Sequence, residues 1–265
     1  MDLSRLSPRQ QEILDLIARD GAQQIEGLAR HYHLTTQTIR RDINTLCELG
    51  HARRLHGGVD LPVMPQNISV SARAQLNSGA KRRIGAWIAS QIPEGAALFL
   101  GIGTTVQYVA DALREHSGLT VITNNVDVAH TLGGAPSVEL HLTGGVWRAN
   151  DRDVVGSDAI RFFEKFYATH SVVGAGGLHP VSGVLDFSYG EAQVTNAIIE
   201  NSRTRYLAAD VSKWARDAAV RVAPFAKLSA FVTDRLPDQS GAESALRESG
   251  LEVVLCGPAE DGKAA

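Results

Sequence analysis

The sequence predicts two folded parts of different class: a small α+β winged helix-turn-helix at the amino end, then a larger α/β domain on a mostly parallel sheet. Three observations carry this. Residues 35–58, TTQTIRRDINTLCELGHARRLHGG, read as a polar-faced helix running straight into a basic hairpin. From Lys81 onward, apolar runs alternate with helical stretches, and each run ends in a small polar cluster. Between them, residues 61–80 hold Pro62 and Pro65, several Ser, Asn and Gln and only isolated apolar residues, which reads as a linker. The expected division is therefore 1–60, 61–80, 81–256 and a tail over 257–265.

The amino-terminal elements follow in order. Ser7 and Pro8 suit an N-cap and a first helical position, and Ile13, Leu14 and Ile17 share a face until Gly21 stops the helix. A second helix over residues 24–33 buries Ile25, Leu28 and Ala29. Thr35 caps the third, with Leu34 before it as a packing residue. Ile39, Ile43, Leu46 and Leu49 form its apolar stripe, which leaves Gln37, Thr38, Arg41, Asn44 and Thr45 on the opposite face. Arg forks onto guanine, Gln and Asn onto adenine, and Thr meets a thymine methyl or a phosphate, all from a helix slim enough for the major groove. In the hairpin HARRLHGGVD, Ala52 and Leu55 are expected to face inward while Arg53, Arg54 and His56 project, with Gly57 and Gly58 as the turn. The expected partner is double-stranded operator DNA, contacted by Thr35, Thr36, Gln37, Thr38, Arg40, Arg41 and Asn44 on the helix and by Arg53, Arg54 and His56 on the wing. A plain three-helix module with solvated arginines is the alternative, since residues 1–60 contain eight Lys/Arg and eight Asp/Glu. The arrangement favours DNA: four arginines sit on the helix and wing, whereas Glu12, Asp15, Asp20 and Glu26 lie in the first two helices.

The chain has 265 residues, 44% of them hydrophobic and 21% charged, with net charge -3, so any nucleic-acid contact is local rather than a bulk electrostatic effect. A signal peptide and an apolar run of about 18 residues are both lacking, which makes the cytoplasm the expected compartment and a membrane partner unexpected. Cys47 and Cys256 have neither a disulfide framework nor a zinc spacing around them. His31 and His33 lack a third and fourth ligand at a useful spacing and read as surface residues, so neither a metal nor a cofactor is expected.

In the second part the runs ALFL, LTVI, residues 138–142, SVV, YLAA and FV precede GIGTT, TNN, TGG, GAGG, DVSK and TD in turn. Helices between several of them, over residues 105–116 and 191–202, make right-handed βαβ units and one polar crevice at the strands' carboxyl ends. GIGTT is the sharpest cluster, because glycines admit an anion to the backbone, a helix N-terminus supplies free N–H groups, and threonines add hydroxyls. It is not a P-loop, and a tight turn without a ligand is the competing reading. The candidate effector residues are Gly101, Gly103, Thr104, Thr105, Asn124, Asn125, Gly144, Gly145, Arg148, Glu191 and Lys213. Asp186, Glu191 and Asp210 admit two readings, partners of ligand hydroxyls or solvated and capping carboxylates. Trp87, Trp147 and Trp214 are expected in the core or the crevice wall. Arg73, Lys81, Arg82 and Arg83 admit an extension of phosphate contact, but are expected to be a solvated linker and helix start.

QTIRRDINTLCELGHARRLHGG, the GTT loop, TNN, TGG and DVSK together resemble the DeoR family of bacterial transcriptional regulators, over roughly residues 5–256. The resemblance implies a non-enzymatic repressor, a homodimer or homotetramer. It would leave its operator when a phosphorylated metabolite occupies a domain similar to the ribose-5-phosphate isomerase fold. LDFSYGEAQVTNAIIENSR and DVSKWARDAAV are most similar to members for which that effector is glycerol 3-phosphate. The chain departs from many relatives at Gly101 and Thr169, where an acidic residue is usual, and at Trp214 and Ala215, where Phe-Gly is usual. A missing carboxylate at Thr169 argues against isomerase chemistry, which needs a general base. An isomerase-like enzyme with a DNA-binding appendage, and a constitutive DNA-binding protein with a decayed sensor, are the alternatives.

Overall fold

A computed structural model describes residues 6–20, 22–49, 51–55, 57–60, 70–237 and 241–257. It divides into two units, Met1–Ile68 and Ser69–Ala265.

The first unit runs α1 (Pro8–Asp20), β1 (Gln23–Gln24), α2 (Ile25–His31), α3 (Thr36–Glu48), β2 (Arg53–Leu55) and β3 (Gly58–Asp60). Ile13, Ile17, Leu28, Ile39, Ile43, Leu46 and Val59 are its buried core. Thr35 starts α3 as expected, its Oγ1 accepting from the Thr38 N–H at 3.2 Å. Asp42 is buried on α3 and accepts from Arg9 Nε at 2.8 Å and Gln10 Nε2 at 3.2 Å, fastening α3 to α1. Two expected core residues are not core. Leu49 is 44% exposed because α3 ends one residue before it and the chain doubles back, His51 and Ala52 both donating to the Leu46 carbonyl, so Ala52 closes the core instead. Leu55 is 37% exposed because β2 is an edge strand of the order β1-β3-β2. The turn also shifts by one residue. Leu55 pairs with Gly58, which places Gly58 in β3 and leaves Gly57, at φ +79, in the turn. Gly58 serves a different need: a Cβ there would lie 2.7 Å from the Gln23 carbonyl, where β1 crosses it.

The second unit opens with α4 (Val70–Gln75) and α5 (Ser78–Ser90), so residues 70–80 of the expected linker are largely helical. It continues β4 (Ala97–Leu100), α6 (Thr104–Ala112), β5 (Leu119–Thr123), α7 (Val126–Leu132), β6 (Val138–Leu142), β7 (Val146–Arg148), β8 (Asp153–Val155) and α8 (Ser157–Phe163). Then come β9 (Ala168–Val173), β10 (Gly177–His179), β11 (Gly183–Asp186), α9 (Tyr189–Glu200), β12 (Ser202–Ala208), β13 (Val220–Ala223), β14 (Ala230–Thr233), α10 (Ala242–Ser249) and β15 (Glu252–Leu255). Seven strands form one parallel sheet in the order β15-β14-β12-β9-β4-β5-β6. The side-chain period of two splits the core between its faces. Leu98, Leu100, Val172 and Tyr206 pack under α5, α6 and α7, while Phe99, Val173 and Leu207 pack under α8, α9 and α10. Two small antiparallel sheets, β7-β8 and β10-β11-β13, are additions that the apolar runs did not announce.

Candidate functional site

On α3, Gln37, Arg40, Arg41 and Asn44 fall at helical spacing on the face away from Ile39, Ile43 and Leu46. Gln37, Arg40 and Arg41 are exposed, and the Asn44 Oδ1 is buried with no hydrogen-bond partner. Thr35 and Thr38 are engaged with each other at the cap, while Thr36 is half-buried. On the wing Arg54 is exposed, and Arg53 pairs with Asp60 across the strands at 2.7 Å. His56 lies outside the described residues.

In the second unit the parallel sheet does what the sequence required of it. Gly101 N–H donates to the Val172 carbonyl at 2.9 Å, which sets the 101–105 turn beside the carboxyl end of β9. Gly103 caps α6 at φ +117, and Thr104 and Thr105 are buried at its first turn. Asn124 and Asn125 follow β5. Asn125 is fully occupied by the fold, its Oδ1 accepting from the Asp127 and Val128 N–H groups and its Nδ2 donating to the Gly101 carbonyl. Asn124 donates to the Val154 carbonyl at 2.9 Å, and its Oδ1 is buried with no partner. Gly144 and Gly145 are exposed, and Gly145 lies against β8, where a Cβ would meet the Val155 carbonyl at 2.6 Å.

Arg148, from β7, is the centre of an acidic cluster. It holds Asp153 with two bonds of 3.0 and 2.8 Å, pairs with Glu191, and stands 3.5 Å from Asp151. Burial lifts the Asp153 carboxyl to about 6 against the pull of Arg148. Burial lifts Glu191 further, to about 8, with Asp186 beside it adding to the effect and Arg148 opposing it. Glu191 is thus a buried carboxyl that shares its surroundings with a second one, neither solvated nor a helix cap.

A second cluster is cationic, and only Lys213 of it was expected. Lys213 stands on the turn Val211–Ala215 after β12, where burial and then Arg216 lower it to about 7. Burial lowers Lys81 to about 8, with Arg73 and Arg216 acting in the same sense. Burial and Arg73 together lower the Arg216 guanidinium. In their midst Asp210 is buried, and Lys213 and Lys81, with bonds from Ser212 and Asn77, hold it ionised against the cost of burial. Arg73 and Lys81 are therefore not solvated, as their polar surroundings in the sequence implied: Lys81 is 4% exposed and Arg73 pairs with Asp151. One signal for Lys81 was available. It precedes Ile84 and Ile88 at helical spacing, which places it on the buried face of α5. Arg73, Asn77 and Arg216 carry no comparable signal.

Other expected residues fall elsewhere. Thr169 stands at the amino end of β9, bonded to the Ala97 carbonyl at 2.9 Å, so a carboxylate missing there removes nothing from the crevice. Trp214 packs on Phe225 and Phe231 and Trp87 on Tyr206, but Trp147 is 50% exposed because β7 lies outside the main sheet. Among the described residues, no group of three or more His, Cys, Asp or Glu could hold a metal ion, and no helix is long and apolar enough to cross a membrane.

Residues 9–63 match the DeoR-like helix-turn-helix domain and residues 76–235 the DeoR C terminal sensor domain. The HTH-type transcriptional repressor CsqR of Escherichia coli (strain K12) is 35% identical over 263 residues, 98% of this chain and 100% of that protein. The glycerol-3-phosphate regulon repressor of the same strain is 36% identical over 248 residues, 94% of this chain and 98% of that protein. Ribose 5 phosphate isomerase A from Neisseria gonorrhoeae aligns with 51% of this chain and 53% of its own at 16% identity and a TM-score of 0.35, and the fold described above stands on its strand order instead. Both domain matches, and relatives of this identity along nearly the whole length, establish that the chain belongs to the DeoR family of transcriptional regulators.

Proposed function

We propose that the chain represses transcription by binding operator DNA through α3 and the wing, and that a small phosphate ester bound to the second unit releases it. Glycerol 3-phosphate is the first candidate, supported by the relative that bears its name. The observation that carries the reading is the cluster of Arg73, Lys81, Lys213 and Arg216 around Asp210, which follows β12 just as the Gly103, Thr104 and Thr105 turn follows β4 of the same parallel sheet. Partly desolvated like charges repel, and a dianion among them removes that repulsion. The ester's hydroxyls then face Asn124, whose buried Oδ1 has no partner. On the DNA side, Gln37, Arg40, Arg41 and Asn44 read base edges, with Thr36 at the helix start, and Arg54 holds phosphate. The protein acts in the cytoplasm as a homo-oligomer, and it binds the ester without converting it.

Thr104→Val tests the effector site. It keeps nearly the same volume and removes one hydroxyl donor, so operator binding without ester should match wild type while release by glycerol 3-phosphate requires more ester. Equal release from both proteins excludes this phosphate site, and no release from either excludes this effector. Incubating wild type with phosphorylated sugars and polyols and assaying for conversion tests the absence of turnover.

A further inference from the structure

α4 is the first element of the second unit, with residues 61–69 between it and Asp60 at the end of the wing. It has six residues, too few to hold itself as an isolated helix. Besides the bond from Lys81 Nζ to its Arg73 carbonyl, three contacts hold it in place. Val70 N–H donates to the Asn150 carbonyl at 3.2 Å, the Tyr108 hydroxyl donates to the Ala74 carbonyl at 3.2 Å, and Arg73 pairs with Asp151. Asn150 and Asp151 both belong to the turn between β7 and β8, so two of the three contacts latch α4 to that turn. On its other side α4 meets α5 at Asn77, a non-glycine residue at φ 53 whose side chain donates to Asp210 at 3.0 Å. Asn77 is thus a pivot with one end fixed to the cationic cluster.

Arg73 belongs to both systems. Its charge bears on Lys81, Lys213 and Arg216, Lys81 Nζ donates to its backbone carbonyl, and its Nε is buried with no hydrogen-bond partner. The guanidinium therefore has one acceptor at the hairpin turn and an unsatisfied donor. Asp151 differs, because Arg148 stands 3.5 Å from it and remains its partner when Arg73 leaves. Breaking the latch strands no carboxylate, which removes the main cost of separating such a pair.

We infer that Arg73 reports the effector: a phosphate dianion draws its guanidinium off Asp151, α4 swings free of the β7–β8 turn about Asn77, and the chain leading to the wing receives the change. A phosphate competes well because it offers three strong acceptor oxygens and up to two charges against the single charge of a carboxylate. This rests on the phosphate site proposed above and adds the residue and element that carry its occupancy outward.

Hydrogen exchange over residues 70–77 of the full-length protein, with and without glycerol 3-phosphate and inorganic phosphate, tests the latch, and calorimetry on the same samples measures binding. In wild type, saturating anion should speed exchange of the α4 amides by about fivefold or more, the lower end of usual couplings. Asp151→Asn should show that faster exchange with no anion and bind the anion at least as tightly as wild type. Arg73→Lys, which keeps the charge but loses the planar fork, should bind anion while its α4 responds less. The latch is wrong if Asp151→Asn exchanges as slowly as wild type, and the coupling is wrong if wild type binds anion with α4 exchange unchanged or slowed. If neither anion binds while Asp151→Asn still frees α4, the phosphate site itself fails and the role of Arg73 as reporter goes with it.

Discussion

Lys213 and Lys81 carry the clearest chemical consequence of the cationic cluster. Held at about 7 and about 8 by burial and by neighbouring cations, both are partly neutral in mildly alkaline solution. A dianion beside them favours their charged forms, so binding a phosphate ester near pH 8 should take up protons. Calorimetry in two buffers of different ionisation enthalpy measures that uptake; none at pH 8 would remove these lysines from the site. Affinity should also fall as pH rises from 7 to 9: the ester is already a dianion above about pH 6, the lysines lose charge over this range, and Glu191, lifted to about 8, gains a negative charge, which acts in the same sense. The stability effect has the opposite sense. Both lysines are depressed in the fold, so between about pH 8 and about 10, above the range in which the raised Glu191 acts in the opposite sense, the unfolded chain binds more protons and stability without ester climbs with pH. At this scale the sequence was half legible. Thr104, Thr105 and Lys213 stand at strand ends, which a local pattern locates. Arg73 and Lys81 sit in a stretch with no acidic residue, and their partners Asp151 and Asp210 are remote in sequence, so the stretch resembled a solvated one. Asn125 shows the converse: residue type and place fitted a ligand, and the N-cap of α7 engages it.

Among the elements, α3 and the wing should divide their work. Arg41 is exposed on the face of α3 that carries Gln37, and Arg41→Ala should cost about 1–3 kcal/mol on the cognate operator and relax base preference. Arg54→Ala, on the wing, should weaken all DNA alike and flatten the salt dependence by about one phosphate contact. Binding isotherms at several salt concentrations on cognate and scrambled duplexes separate the two, and an Arg41→Ala protein with unchanged preference means that another face of α3 reads the bases. The wing also depends on Gly58. A methyl there sits 2.7 Å from the Gln23 carbonyl, so Gly58→Ala should destabilise the first unit by about 1–3 kcal/mol through overpacking. Thermal melting reads it directly, and an unshifted transition would mean that β1 yields easily. The periodicity of α3 and its cap were plain in the sequence because they are local. Strand β1 was not: two residues have no period, and only their pairing with β3 makes them a strand. The hairpin β7-β8 escaped for a similar reason, since three-residue strands outside the main sheet leave no long apolar run.

For the molecule as a whole, the charge on the first unit limits what one copy can do. Arg9 is tied to Asp42 and Arg53 to Asp60, which leaves few arginines for phosphates on a part with as many acids as bases. One copy therefore gains little from counterion release, and tight operator binding needs two copies held together. On the proposed reading that task belongs to the second unit, whose core is the larger. A fragment over residues 1–60 should bind operator poorly, and a fragment beginning at Ser69 should self-associate at micromolar concentration in light scattering, a monomer there placing the interface elsewhere. If operator and ester then act through one equilibrium between two forms, their effects on each other are equal by linkage. A coupling of about 1–3 kcal/mol, or 5–150-fold, is the usual range, and whatever factor glycerol 3-phosphate imposes on operator affinity, saturating operator must impose on affinity for glycerol 3-phosphate. Calorimetric titration of the ester into free protein and into the operator complex measures the second factor, and fluorescence anisotropy of labelled operator with and without ester measures the first. Two matching factors support release by a shift between forms. Ester affinity untouched by operator, beside an operator affinity lowered by ester, would break the thermodynamic cycle for binding at one effector site and point to direct competition of the anion with DNA at α3 and the wing.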